Sequence, residues 1–229
     1  MSKSTMLLEF FYDEKNKYEI CIDEVGRGCL FGRAYIACVV LPKDGSFLGN
    51  DIKDSKKFTS KKKIKAVSDY IKSAALFWHI EYVESDLIDE INILQAVMRG
   101  MHACIRTILT KIGSTSSVMA IVDGNYFKPF TYYHEIQEAI IELPSVTIEK
   151  GDAKYIGIAA ASILAKVARD EYVQELCLLH TELVTCYGLD TNVGYGTKKH
   201  MEGILKNGIT QWHRKSFAPC KNYTDVTPL

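Results

Sequence analysis

Two adjacent carboxylates, Asp23 and Glu24, close a β-like run that begins at Tyr18, and Gly26, Arg27 and Gly28 follow almost at once. Neighbouring like charges disfavour joint ionisation, and each is costly to desolvate if buried. A bound cation is the natural compensation. Glycines at that point let the backbone turn tightly and come close to a ligand. An arginine among them can face phosphate or sugar oxygens. An ordinary strand–turn uses the same residue types, so the rest of the chain must decide. Asp123 ends a second apolar run, VMAIV at 118–122, and Asp152 follows a third segment, VTIEK at 146–150. If these strands are neighbours, Asp23, Glu24, Asp123 and Asp152 converge at one edge of a sheet. Two divalent cations would balance their charge, and hard oxygen ligands select magnesium or manganese over zinc. Two such ions about 4 Å apart grip the attacking and leaving oxygens of a phosphodiester and activate a water between them.

The elements that must position these acids are legible from periodicity. Strands are expected at 18–23, 34–41, 76–84, 118–124 and 146–150. A helix capped by Thr59 or Ser60 carries Ile64, Val67 and Ile71 on one face. Residues 92–112 have continuous helical spacing, with apolar positions at 94, 97, 98, 101, 105, 108, 109 and 112. A second long helix spans 155–179, and its first half, IGIAAASILAKVA, is rich in small residues that permit close packing. A short helix is expected near 198–206. Three strands in succession, then strands alternating with helices, give an α/β sheet of mixed direction, with binding at the carboxyl ends of its strands.

The 229 residues suit one sizeable domain. Apolar content of 47%, charge of 24% and zero net charge describe a globular protein without a uniformly basic coat. Lysines are nevertheless segregated, with seven between 51 and 65. Lys61, Lys62, Lys63 and Lys65 read as a solvated helix face, while Lys150 and Lys154 flank Asp152. The seven cysteines form no CxxC pair, so neither a zinc site nor a disulfide framework is indicated, and a reducing, cytoplasmic setting is expected. No signal-like start and no apolar run of membrane-spanning length is present. Arg169 and Asp170 read as a structural ion pair. His200 and His213 read as loop or packing residues, and Tyr126, Tyr132 and Tyr133 as surface or core-packing residues.

Seven segments occur in order: IDEVGRG (22–28), DSKK (54–57), NILQA (92–96), VDG (122–124), KGDAKYIGIAAASILAKVARD (150–170), GYGTKKH (194–200) and HRKSF (213–217). In these the chain resembles ribonuclease HII, the type 2 ribonuclease H family. The resemblance implies a ribonuclease H-like α/β fold, a mixed five-stranded sheet flanked by helices with a C-terminal helical cap. It divides the chain into a lead-in at 1–17, a catalytic region at 18–180 and an extension at 181–229 that contributes to substrate binding, all within one structural unit. The implied activity is metal-dependent cleavage of the RNA strand of RNA–DNA hybrids, and incision 5′ to ribonucleotides embedded in duplex DNA. Products would carry 3′-hydroxyl and 5′-phosphate ends. Asp23, Glu24, Asp123 and Asp152 match the metal-binding acids. Gly26, Arg27 and Gly28 match the segment whose backbone reads the ribose 2′-hydroxyl, Lys56 and Lys57 match phosphate contacts, and Tyr195 matches the tyrosine that packs against the adjoining sugar. The family's usual Pro-Leu-Ala-Gly-Pro is here Cys29-Leu30-Phe31-Gly32-Arg33, which suggests a less rigid loop. The tail, KNYTDVTPL, lacks a glutamine-plus-aromatic clamp motif, and a monomer is expected. The rival readings are a ribonuclease HIII-like hybrid nuclease and a non-catalytic nucleic-acid-binding module on the same fold. Arg27 and the short segment before Asp23 favour the first reading over HIII.

Overall fold

The computed structural model describes residues 8–113, 115–135, 137–224 and 226–227. The strands are β1 (Tyr18–Val25), β2 (Ala34–Val40), β3 (Phe77–Val83), β4 (Val118–Asp123), β5 (Thr131–His134), β6 (Ala139–Glu142) and β7 (Ser145–Ile148). The α-helices are α1 (Lys61–Ala74), α2 (Ser85–Ile91), α3 (Ile93–Ile112), α4 (Ile156–Leu179), α5 (Glu182–Tyr187), α6 (Leu189–Asn192) and α7 (Lys198–Asn207). The chain forms two compact units. The first takes in the chain up to Glu24, Ile36–Glu81 and Met101–Ala165, and the second Val25–Tyr35, Tyr82–Gly100 and Lys166 onward.

The first unit is organised by a mixed five-stranded sheet in the order β3-β2-β1-β4-β7. β1 pairs with β4 and β4 with β7, both in parallel, with Ile22 opposite Val122 and Asp123 opposite Ile148. Parallel neighbours align their carboxyl ends, so Asp23, Asp123 and the turn after β7 come to one edge. The near-continuous apolar sequence of β2 is buried along its length, as expected of a strand covered on both faces. The small-residue start of α4 is buried, with Ile158, Ala159, Ala160 and Ala161 inaccessible to solvent. Its close approach is visible at Gly157, where a Cβ would lie 2.4 Å from the Cys21 sulfur. Helix α1 starts where expected: the Ser60 hydroxyl accepts the Lys63 N–H at 3.3 Å.

Three parts differ from the periodicity reading. The helix expected over 92–112 is α3, but a further helix, α2, stands before it where none was expected, set off from α3 by Asn92 at φ 66°. Its side chain then caps α3 by accepting the Leu94 and Gln95 N–H groups. Residues 131–134 and 139–142, to which no element was assigned, form the antiparallel β5–β6 hairpin. Of the lead-in, residues 1–7 lie outside the described part; Glu9 bonds in β fashion at the start of α4, donating to the Lys154 carbonyl and accepting from the Ile156 N–H.

The second unit is built on the C-terminal part of α4 with α5, α6 and α7. Phe31, Val173, Leu183, Tyr187, Leu189 and Ile204 form its core. Among the described residues no helix is long and apolar enough to cross a membrane, and the seven cysteines are free thiols.

Candidate active site

The sheet edge in the first unit gathers the predicted acids. Asp23, at the end of β1, is buried, and its Oδ1 accepts the Glu24 N–H at 2.7 Å. The Ser162 side chain of α4 also bonds to it, and Ser162 Oγ lies 3.1 Å from Ser55 Oγ. Asp123 ends β4, and its Oδ1 accepts the Gly151 N–H at 2.6 Å. That bond anchors the 3-10 turn Gly151–Ala153, which holds the buried Asp152. Position 151 has no room for a side chain: a Cβ would meet Ile158 Cδ1 at 2.5 Å and Asp123 Oδ1 at 3.2 Å. Lys56, in the 3-10 turn Ser55–Lys57, extends its largely exposed ammonium to 3.8 Å from Asp152 Oδ2. Lys57 is exposed beside it in the chain.

These acids feel one another. The carboxyl group of Asp23 is held well above the usual range, first by burial, then by the charges of Glu24 and Asp123, against the opposing bonds from Ser162 and the Glu24 N–H. Asp123 is raised too, chiefly by burial and also by Asp152, while the Gly151 N–H works the other way. Four carboxylate side chains are the donor set that magnesium or manganese takes. The fit lies in donor chemistry and mutual repulsion: among the described residues, no three His, Cys, Asp or Glu side chains stand already gathered around an ion-sized space.

A model of the family described as ribonuclease HII matches residues 20–220, nearly the whole span that holds these elements. The chain belongs to the ribonuclease HII family. It is thus a member of a family of phosphodiester-hydrolysing endonucleases. It is 40% identical over 206 residues to ribonuclease HII of Parabacteroides distasonis, covering 90% of this chain and 92% of that protein. Its fold is similar to ribonuclease H2 of Pyrococcus horikoshii, with a TM-score of 0.66, 20% identity, and 90% and 96% of the two chains covered. It is also similar to the ribonuclease HII solved in complex with PCNA from Archaeoglobus fulgidus, with a TM-score of 0.62 at 23% identity and 86% and 93% covered.

The ribonuclease HII segment Gly26-Arg27-Gly28 and Tyr195 lie in the second unit, apart in sequence yet bound into one framework. The Leu30 N–H donates to the Gly194 carbonyl at 2.8 Å. Two fully buried guanidiniums hold the rest. Arg169 of α4 donates to the carbonyls of Val193 at 2.6 Å, Phe31 at 3.0 Å and Arg33 at 3.2 Å. Arg214 donates to those of Gly32 and Arg27, both at 3.0 Å. Gly26, at φ +91°, packs so tightly on Arg169 that a Cβ would lie 2.2 Å from its Nε. The expected Arg169–Asp170 ion pair is therefore not formed. Asp170 pairs one turn back with Lys166 at 2.6 Å, and the arginine is satisfied by backbone oxygens instead.

The three departures in this loop are accounted for locally. Cys29 and Phe31 are core residues of the second unit. Arg33 lies over the rings of Tyr82 and Tyr172, at 4.0 and 4.5 Å, and donates to Glu84 Oε1 at 2.6 Å. The Tyr195 ring is partly exposed. Tyr126 and Tyr133 are exposed, with Tyr132 less so on β5. Periodicity gave no hint of Ser162, Arg169 or Arg214 as site-builders. Only the small-residue run before Arg169 signalled that the first half of its helix is buried.

Proposed function

We propose that this chain is a divalent-metal-dependent endonuclease that hydrolyses the RNA strand of RNA–DNA hybrids and incises duplex DNA 5′ to embedded ribonucleotides. It would leave 3′-hydroxyl and 5′-phosphate ends, and so remove misincorporated ribonucleotides and RNA primers. The observation that carries the reading is the pair of acids at adjacent parallel strand ends, Asp23 and Asp123, both raised by burial and by neighbouring carboxylates in a chain of this family. Asp23, Glu24, Asp123 and Asp152 are the side chains that would hold two magnesium or manganese ions. When bound, the ions supply neutralisation of charge on the scissile phosphate and an activated water.

The protein's own residues do the rest. Ser162 and the Glu24 N–H orient Asp23, and the Gly151 N–H orients Asp123. Lys56 and Lys57 offer charge to phosphates flanking the scissile bond. The backbone of Gly26-Arg27-Gly28 recognises the ribose 2′-hydroxyl, the group that distinguishes RNA from DNA at a given position. Tyr195 packs on the adjoining sugar, so the region beyond 180 contributes to binding. The reading includes a monomer acting in the cytoplasm without a sliding-clamp partner. The relative from Archaeoglobus fulgidus, by contrast, was solved with PCNA.

The test is a gel assay on three duplexes: all-DNA, one with a single ribonucleotide, and an RNA–DNA hybrid, each with magnesium, manganese or chelator. Cleavage should require metal and ribose and should fall 5′ to the lone ribonucleotide. Cutting of the all-DNA duplex, or cutting in chelator, overturns the proposal.

A further inference from the structure

His200 and His213 are both inaccessible to solvent, and their Nε2 atoms face each other at 3.1 Å. Two facing ring nitrogens bond only if one carries hydrogen and the other does not. The neighbours decide which. The Thr210 backbone N–H donates to His213 Nδ1 at 2.9 Å, with the Thr210 hydroxyl also at 2.9 Å, so that nitrogen presents a lone pair. Neutral His213 therefore carries its proton on Nε2. At the other end, His200 Nδ1 lies 2.9 Å from the Tyr195 carbonyl oxygen, which can only accept. His200 therefore carries its proton on Nδ1 and offers a bare Nε2. One arrangement satisfies every contact: Thr210 N–H to His213, His213 to His200, His200 to the Tyr195 carbonyl. All its bonds point the same way and it carries no charge.

We propose that the His200–His213 pair is a positioning device for Tyr195. The Tyr195 carbonyl accepts from His200 and from the Thr197 N–H at 2.8 Å, while the Tyr195 N–H donates to the Asn192 carbonyl at 3.0 Å. Both sides of the residue that presents the partly exposed ring are thereby fixed. Buried rings of Tyr187, 5.1 Å from His213, and Phe31, 5.2 Å from it, wall the pair off from water. This deepens the proposed function, since it rests on Tyr195 touching the sugar. His200 and His213 are positioning residues and touch no substrate.

Two measurements on the full chain separate this inference from the reading it rests on. Long-range proton–nitrogen NMR spectra of the wild type at neutral pH should show His213 protonated on Nε2 and His200 on Nδ1. The opposite tautomer at His200, or a charged ring at either position, overturns the pair as described. Asparagine mimics Nδ1 and glutamine mimics Nε2, so His200→Asn keeps the donor to Tyr195 and His200→Gln loses it. The amide signal of Gly196, which follows the gripped carbonyl, should shift in His200→Gln and stay near its wild-type position in His200→Asn. Equal shifts in both sink the positioning role. On a single-ribonucleotide duplex, KM should rise about fivefold in His200→Gln with kcat within twofold, and His200→Asn should restore it. If Tyr195→Ala leaves KM unchanged, the substrate role of Tyr195 fails, and the NMR results still decide the positioning of its backbone.

Discussion

The two units each bury charge, and they do so in opposite ways. In the first, carboxylates of one sign meet at a strand end, and neutral donors (a serine hydroxyl and three backbone N–H groups) bond to Asp23 and Asp123. In the second, two guanidiniums are buried completely but donate to five backbone carbonyls drawn from residues 27–33 and 193. A buried charge tied to main-chain carbonyls is a structural element, although Arg214 Nη2 has no partner of its own among the described residues, whereas one that repels its neighbours is a site awaiting a ligand. The difference sets carboxylates that repel one another apart from guanidiniums that hold a framework.

The largest effect should come from removing one repelling charge. Asp123→Asn keeps an oxygen for the Gly151 N–H, so the fold is retained. Cleavage should nevertheless fall by about a thousandfold or more, in line with losing a group that acts only through charge at the reacting centre. Melting temperature without metal should hold or rise. The wild type should gain melting temperature on adding magnesium, since a ligand that binds only the folded state stabilises it, and the variant should lose that gain. A variant that cleaves normally would break the contrast.

The mirror experiment is Arg169→Met. It deletes three bonds from a cation and strands the carbonyls of Phe31, Arg33 and Val193 in a buried setting. Charge-assisted bonds are worth about 1.5–3 kcal/mol each, so urea unfolding should report a loss of roughly 3 kcal/mol or more. Stability should fall together with activity, unlike Asp123→Asn, where the two part company.

This contrast also marks what the amino-acid order could reveal. β2 and β4 of the main sheet are runs of β-branched and apolar residues, and such runs declare themselves because burial on both faces demands them. The acids were legible because each stands at the end of such a run. Arg169 was misread because an arginine beside an aspartate invites a local pairing. Its true partners lie 136 and 138 residues away, with one 24 residues on, and are main-chain oxygens that leave no trace in side-chain identity. The β5–β6 hairpin was missed since its half-exposed strands carry no run of buried residues. Nor was α2 expected, a helix of seven residues set off from α3 at Asn92 with no glycine or proline to mark it.

A smaller and pH-dependent effect sharpens the holding side. Burial and, next, His200 pull the His213 imidazole down to about 3, and burial lowers His200 as well. In the unfolded chain both titrate near the ordinary histidine value of about 6.5. Below that value the unfolded state binds protons that the folded state refuses, so stability should decline as pH falls from about 6.5 toward 3. Thermal unfolding across that range should show the decline, and it should be shallower in His213→Asn, which has no ring to protonate. A stability that rises on acidification would place the pair outside the category of buried neutral groups.

The weakest expected effect tests the boundary between the two categories. Lys56 is the cation seen against Asp152, yet its side chain is 82% exposed and its ammonium stands 3.8 Å away. An exposed pair of that kind contributes about 0–1 kcal/mol at most, so it neither offsets the acids nor holds the turn. Lys56→Gln should leave the unfolding midpoint within error. If the ammonium instead serves a substrate phosphate, KM should rise, and the slope of log KM against log salt should flatten by about one counterion. Equal salt slopes for the two proteins would return Lys56 to the solvated surface. A flattened slope at unchanged stability would assign it to the reacting side, where charge is kept available for a ligand instead of being used up by the fold.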